Sequence, residues 1–194
     1  MTGINGLRCQ ERARQVTSQI TDTFIFMGDE YELIGIAGAS LVSPEQFGMV
    51  PEMLSTACYR GFYATYELTD EVLLLRKLTL CEKSDNYLPI DGVEPEKNEE
   101  YQATYRNLGV IVPFTGKIRL ARDFINELYI HMGFQKPTAF RTVLDVTINN
   151  GKIINIKDRS ADMEKKWGAF KKRYENGDVT ETIEEAFSLD MELE

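Results

Sequence analysis

The chain has 194 residues and a mass of 22.2 kDa, with 43% hydrophobic, 27% charged and 10% aromatic residues. This fits one domain, or at most two small ones, with enough apolar side chains for a core without disulfide staples. No run approaches the roughly eighteen uninterrupted apolar residues of a spanning helix, so a membrane-spanning helix is excluded. Arg8, Arg12 and Arg14 accompany no apolar stretch of the kind a secretory leader needs. Cys9, Cys58 and Cys81 are widely spaced and include no CxxC pair, which argues against a disulfide framework or a zinc site and for a reducing cytoplasm.

In chain order, residues 1–20 read as a loose helix, with Ala13, Val16 and Ile20 at helical spacing. Thr23–Met27 and Tyr31–Ile36 then form a hairpin across Gly28-Asp29, with glycine at the first position of a type II′ turn. Ser43-Pro44-Glu45 opens a short helical turn, because serine can cap it and proline tolerates its first position. The clearest strand is Tyr59–Leu68, with Phe62, Ala64, Tyr66 and Leu68 on one face and Tyr63, Thr65 and Glu67 on the other. Val72–Leu80 returns beside it. The polar stretch Lys83–Asn98, with two prolines, reads as a loop. Strands resume at Leu108–Val112 and Lys117–Leu120, with Pro113 marking a bulge or an edge. Phe140–Ile148 and Lys152–Lys157 form a hairpin over Asn149-Asn150-Gly151, whose Asn-Gly pair supplies positive φ values. Met163, Trp167, Phe170 and Tyr174 make one face of a helix that Asn176-Gly177 stops, and Val179, Ile183 and Phe187 line a second, acidic one.

The expected architecture is α+β: a mainly antiparallel β-sheet, as a sandwich or half-barrel, with one or two C-terminal helices. A single domain covers 1–194, comprising a β-rich body at 21–157, a basic amphipathic helix at 160–176 and an acidic helix or tail at 178–194.

The net charge of −9 is concentrated at the end of the chain: residues 178–194 hold seven acids and no lysine or arginine. Without them, 24 acids face 22 bases. Just before that stretch come Lys165, Lys166, Lys171, Lys172 and Arg173. Such a chain repels polyanions, which argues against general nucleic-acid binding. The lysines suit the solvent side of a helix whose Trp167 stripe docks on the sheet.

Three segments bear a family likeness. They are Phe26-Met27-Gly28-x-x-Tyr31-x-Leu33; Ser55-Thr56-Ala57-Cys58-Tyr59-Arg60-Gly61-Phe62-x-Ala64-Thr65-Tyr66-Glu67-Leu68; and Thr115-Gly116-Lys117-Ile118 followed by Tyr129-Ile130-His131-Met132-Gly133-Phe134. Over about residues 24–156 the chain resembles a group of uncharacterised bacterial proteins with a T-A-x-[WY]-R-G-[FY] strand and a Y-x-H-M-G-[FY] segment. It departs from that pattern in having Tyr59 and Tyr66 where the group has tryptophan. The resemblance implies one compact domain over that span and brings no chemistry.

Among candidate residues, Arg60 shares strand parity with the buried face and must be paired there. It is either an anion clamp, through its planar fork, or half of a structural ion pair with Asp123 or Asp145, or it reaches solvent from the strand's start. Structural networks bury arginines more often than ligand sites do. His131, the only histidine, could act as a base near neutral pH, but its apolar setting favours a hydrogen-bonded core residue. With Tyr63, these two residues define a possible site for an anionic ligand. Cys58 could be activated by Arg60, although a small buried thiol is its commoner role. No catalytic set, metal site or cofactor is expected. The favoured expectation is a non-catalytic, cytoplasmic protein-binding module, immunity- or inhibitor-like. In this reading Glu181, Glu184 and Glu185 engage a basic protein partner. The alternative is an enzyme or small anionic-ligand binder using Arg60 and His131. The oligomeric state is left open.

Overall fold

Alternating burial shapes most of the chain, as in Phe62–Leu68, where Ala64, Tyr66 and Leu68 point inward and the residues between them are less buried. A computed structural model describes residues 18–98, 102–129, 133–175 and 188–191, with the side chains of the helix described as far as Trp167. Its strands are β1 (Thr23–Phe26), β2 (Asp29–Gly38), β3 (Phe62–Leu68), β4 (Leu73–Leu80), β5 (Glu96–Lys97), β6 (Ala103–Tyr105), β7 (Val110–Ile111), β8 (Gly116–Phe124), β9 (Phe140–Asn149) and β10 (Lys152–Asp158). They form one open sheet in the order β10-β9-β8-β2-β1-β3-β4-β6-β5, with β7 also paired to β4. Among the described strands, β1 and β3 run parallel and the other pairs are antiparallel. The helix α1 (Ser160–Glu175) follows β10 directly. The fold is therefore α+β with a mainly antiparallel sheet.

The sheet curls around its main core. In a flat sheet β9 and β4 would lie five strand spacings apart, roughly 24 Å. Instead a Cβ on Gly151, in the turn between β9 and β10, would sit 2.9 Å from the Val112 carbonyl and 3.3 Å from the Leu73 amide. The concave face closes over Phe24, Leu33, Tyr66, Leu75, Ile118 and Val146.

Turn chemistry fixes the two long hairpins. Asn150 and Gly151 have φ of 49° and 79°, the left-handed pair that a tight two-residue turn needs. The first hairpin turns on Met27-Gly28, one residue earlier than the sequence suggests, and φ is 53° and 86° at these two positions. It is thus a turn of the type I′ class with glycine second. The helical turn at Ser43 is a 3-10 turn over Pro44–Phe47. The stretch read as a loop at Lys83–Asn98 contains β5, which pairs with β6, a strand not foreseen because it is only three residues long. Pro113 lies in the connection between β7 and β8 rather than in a bulge or edge strand.

The convex face carries α1 over β9, where Met163 packs among Ile34, Ala121, Phe140 and Val143. Arg141 stacks its guanidinium 5.8 Å from the Trp167 ring centroid, so the expected stripe does dock, as far as its side chains are described. The start of the helix is clamped by charge. Asp145 on β9 accepts two hydrogen bonds from its cross-strand neighbour Arg119, at 2.6 and 2.8 Å, and one from Arg159 at 2.9 Å. The second acidic helix read over 178–194 lies outside the described residues, except for Ser188–Met191. That piece is extended rather than helical: Ile36 donates to the Leu189 carbonyl at 2.7 Å, and Met191 donates back to Ile36 at 3.1 Å. Leu189 packs against the main core, and the Met191 sulfur covers Gly35. The helix read over residues 1–20 falls almost wholly outside the described residues. From Ser18, where description begins, the chain is not helical.

Burial alone would raise the pKa of Asp145, but the hydrogen bonds and charges of Arg119 and Arg159 outweigh it and hold the carboxyl below its ordinary range. A depressed carboxylate stabilises the fold fully above its unfolded pKa of about 4 and loses that contribution as pH falls through its folded value. Asp145→Asn should therefore be clearly less stable than wild type at pH 7, and the gap should close as pH is lowered from about 5 to below 3. Urea unfolding midpoints across that range check this, and a gap independent of pH contradicts it.

Candidate functional site

The candidate with the most chemistry is Arg60, and its surroundings follow from how the chain enters β3. Residues 49–61 form a loop pinned to the end of β4: Glu52 donates to Cys81 O at 2.9 Å, and Cys81 donates to Gly61 O at 2.9 Å. Gly61, with φ of +80°, makes the last bend before the strand. A Cβ there would lie 2.7 Å from the Glu52 carbonyl carbon and 2.9 Å from its nitrogen, so only glycine fits. This bend turns Arg60 back across the start of β3 toward β1.

There it meets Asp22, the residue before β1, whose side chain is 1% exposed. Both terminal nitrogens of Arg60 reach the carboxylate, Nη1 to Oδ2 at 3.1 Å and Nη2 to Oδ1, while Nε donates to the Phe62 carbonyl at 2.7 Å. The guanidinium also stacks on the Phe62 ring at 4.5 Å from its centroid. The fork is thus bidentate on Asp22, with its remaining edge on the backbone. Burial disfavours the charged guanidinium, but the Asp22 charge and hydrogen bonds outweigh this and keep Arg60 cationic.

Asp22 has further duties. Its Oδ1 accepts from the Ala64 amide at 2.7 Å, and its backbone carbonyl accepts from Leu33 at 2.8 Å. One residue therefore ties β1, β2 and β3 together where the parallel pairing of β1 with β3 begins, at Thr23 opposite Thr65. The sequence reading offered Asp123 or Asp145 as the acid for Arg60. Asp145 is instead taken by Arg119 and Arg159, and Asp123 accepts from Thr142 at 2.8 Å. Asp22 escaped notice because it sits 38 residues from Arg60, at the lip of a strand whose parallel partner no local pattern reveals.

Two neighbours complete the cluster. Cys58 is buried and donates its thiol to the Phe62 carbonyl at 3.4 Å. Burial pushes its pKa up more than the nearby Arg60 charge pulls it down, so the thiol is protonated at neutral pH and is a poor nucleophile. Tyr66 is fully buried, stacked on Phe24 at 5.0 Å, and its pKa is driven well up by burial and by the Asp22 charge. The Val42 backbone lies near its hydroxyl but outside good hydrogen-bond geometry.

The other candidates do not gather here. Tyr63 alternates to the opposite face of β3, in register with Thr79, whose hydroxyl bonds that of Thr104 at 3.1 Å. His131, Glu181, Glu184 and Glu185 lie outside the described residues. A second buried acid, missed in the sequence because it stands in a polar stretch, is Glu82. It accepts from the amides of Val50, Ser84 and Asn86 at 3.3, 2.7 and 2.9 Å, which fixes the following loop. Among the described residues no three His, Cys, Asp or Glu side chains converge as a metal would require, and no helix is long and apolar enough to cross a membrane.

Comparison with family models, with curated proteins and with solved structures finds no match for this chain.

Substituting Gly61 by alanine forces a side chain into the Glu52 backbone at a positive φ, and the whole entry to β3 must move. Gly61→Ala should lower stability by about 3 kcal/mol or more and speed alkylation of Cys58 in the native state. Urea unfolding and mass-spectrometric mapping of iodoacetamide adducts check both. An effect within about 0.5 kcal/mol, the scatter of ordinary surface substitutions, contradicts the assignment.

Proposed function

We propose that the chain is a non-catalytic protein-binding module of a bacterial cytoplasm that engages a basic partner through its acidic C-terminal stretch, as an immunity or inhibitor protein would. The observation that carries this reading is the engagement of the Arg60 fork by Asp22. The residue best suited to clamp an anionic ligand has its fork on Asp22 and its Nε on Phe62. A ligand taking the Arg60 fork would have to displace a carboxylate that is 1% exposed and leave it unpaired, which costs several kcal/mol. The alternative, an enzyme or anionic-ligand binder built on Arg60, Tyr63 and His131, carries that cost from the outset. It also draws on Tyr63 from the far face of β3.

The remaining resource is charge. Seven of the nine surplus acids behind the net charge of −9 fall in residues 178–194, which include Glu181, Glu184 and Glu185. In sequence this stretch comes after α1, and its Ser188–Met191 segment is docked on β2. A concentration of negative charge speeds encounter with a cationic protein and makes binding sensitive to salt.

Immobilised wild-type protein and an E181Q/E184Q/E185Q variant, challenged with the cation-exchange fraction of a bacterial extract, provide the test. The wild type should retain a discrete basic protein that raised salt releases, and the variant should retain at least tenfold less. Equal retention by both proteins, or none by the wild type, contradicts the proposal.

A further inference from the structure

The two ends of the sheet are finished differently. At one end β5 is only two residues long, Glu96–Lys97, and both are charged. Short, charged edges are how sheets resist further pairing. At the other end stands β10, seven residues long with the sequence Lys-Ile-Ile-Asn-Ile-Lys-Asp. One side pairs with β9, and no described residue pairs with the other. A register shift between Ile153 and Asn155 breaks the inward-outward alternation. Ile153 packs against the main core, whereas Ile154 is 61% exposed and Ile156 40% exposed. A long edge carrying exposed isoleucines offers unpaired backbone groups together with apolar area.

What such an edge accepts is written in its own sequence. Laid antiparallel against a second copy and centred on Asn155, β10 sets Lys152 opposite Asp158 at both ends. It also sets Ile154 opposite Ile156 on both sides of the centre. Every position opposite an ionic residue is then either its counter-charge or the aliphatic Ile153 facing Lys157. Opposite charges and apolar pairs across neighbouring strands are each stabilising, while like charges are not. A two-fold interface must be complementary to itself, and this heptad meets that condition.

We propose that the protein self-associates as a two-fold dimer through antiparallel pairing of β10 with β10 of a second copy, which joins two ten-stranded sheets into one. The second copy is the occupant of this edge because the charge pattern matches itself end to end. A strand of another protein would need the same pattern by coincidence. Pairing one edge strand covers little area, so the dimer is of moderate affinity and depends on concentration.

The charge pairs supply a test that separates lost pairing from lost folding. Lys152→Asp opposes two acids at each end of the interface, and Asp158→Lys opposes two lysines. Mixing the two variants restores opposite charges at both ends. Asp158 also accepts the Ser160 amide at 2.8 Å at the start of α1, so its variant loses stability that mixing cannot repair. Sedimentation velocity on the full chain from about 1 to 200 µM should show wild type passing from monomer to dimer. Each single variant should associate at least tenfold more weakly, and the equimolar mixture should regain most of the wild-type association. A wild type that stays monomeric throughout overturns the proposal. So does a dimer that persists in Lys152→Asp, or a mixture no more associated than its components.

Discussion

The buried carboxylate of Asp22 and the guanidinium of Arg60 hold together the one parallel junction among the described strands of this sheet, which no short turn provides. Hairpins bring β1 to β2, β3 to β4 and β9 to β10 through short turns. The parallel contact between β1 and β3 has to be closed over the intervening β2 and the long loop that follows it. Backbone pairing between the two strands starts at Thr23 and Thr65. Just beyond that point Asp22 substitutes a side-chain oxygen for the missing backbone acceptor, takes the Ala64 amide, and receives the fork of Arg60. The acid cannot be buried without its base, and the base cannot reach it without the bend at Gly61. Sheet order, the path of the loop and the orientation of Arg60 are thus one arrangement.

Strand periodicity and turn chemistry made most of the body legible in the sequence. The run from Phe62 to Leu68 alternates cleanly because one face meets the core. Asn150-Gly151 announces its hairpin because few residue pairs tolerate two left-handed positions. The register at Met27-Gly28 was harder to read. It needs a methionine at positive φ, and the Gly28-Asp29 pair offers a plausible turn of its own. Strands of two or three residues, such as β5 and β6, leave no period to count.

The electrostatic pairs were the least legible part. Arg60 could be marked as requiring a partner, but which of 31 acids supplies it is decided by non-local pairing. The same applies to Asp145, which joins Arg119 across the sheet and Arg159 at the start of the helix, and to Glu82, which gathers two amides of its own loop and that of Val50 from another. Asp22 and Glu82 take backbone amides where the regular ladder stops, while Asp145 sits within the ladder and pairs two arginines. In this protein buried charge serves the joints of the fold.

A double-mutant cycle on Asp22 and Arg60, read by urea unfolding of the Asp22→Ala, Arg60→Ala and combined variants, tests this account most directly. If the pair is a structural joint, either substitution alone destabilises strongly, and the second adds little to the first. The partly exposed Arg60 tempers the coupling, which is still expected to be about 1 kcal/mol or more. Additive losses, with a coupling below about 0.3 kcal/mol, would mean that the two groups act independently and that Arg60 is free for another purpose.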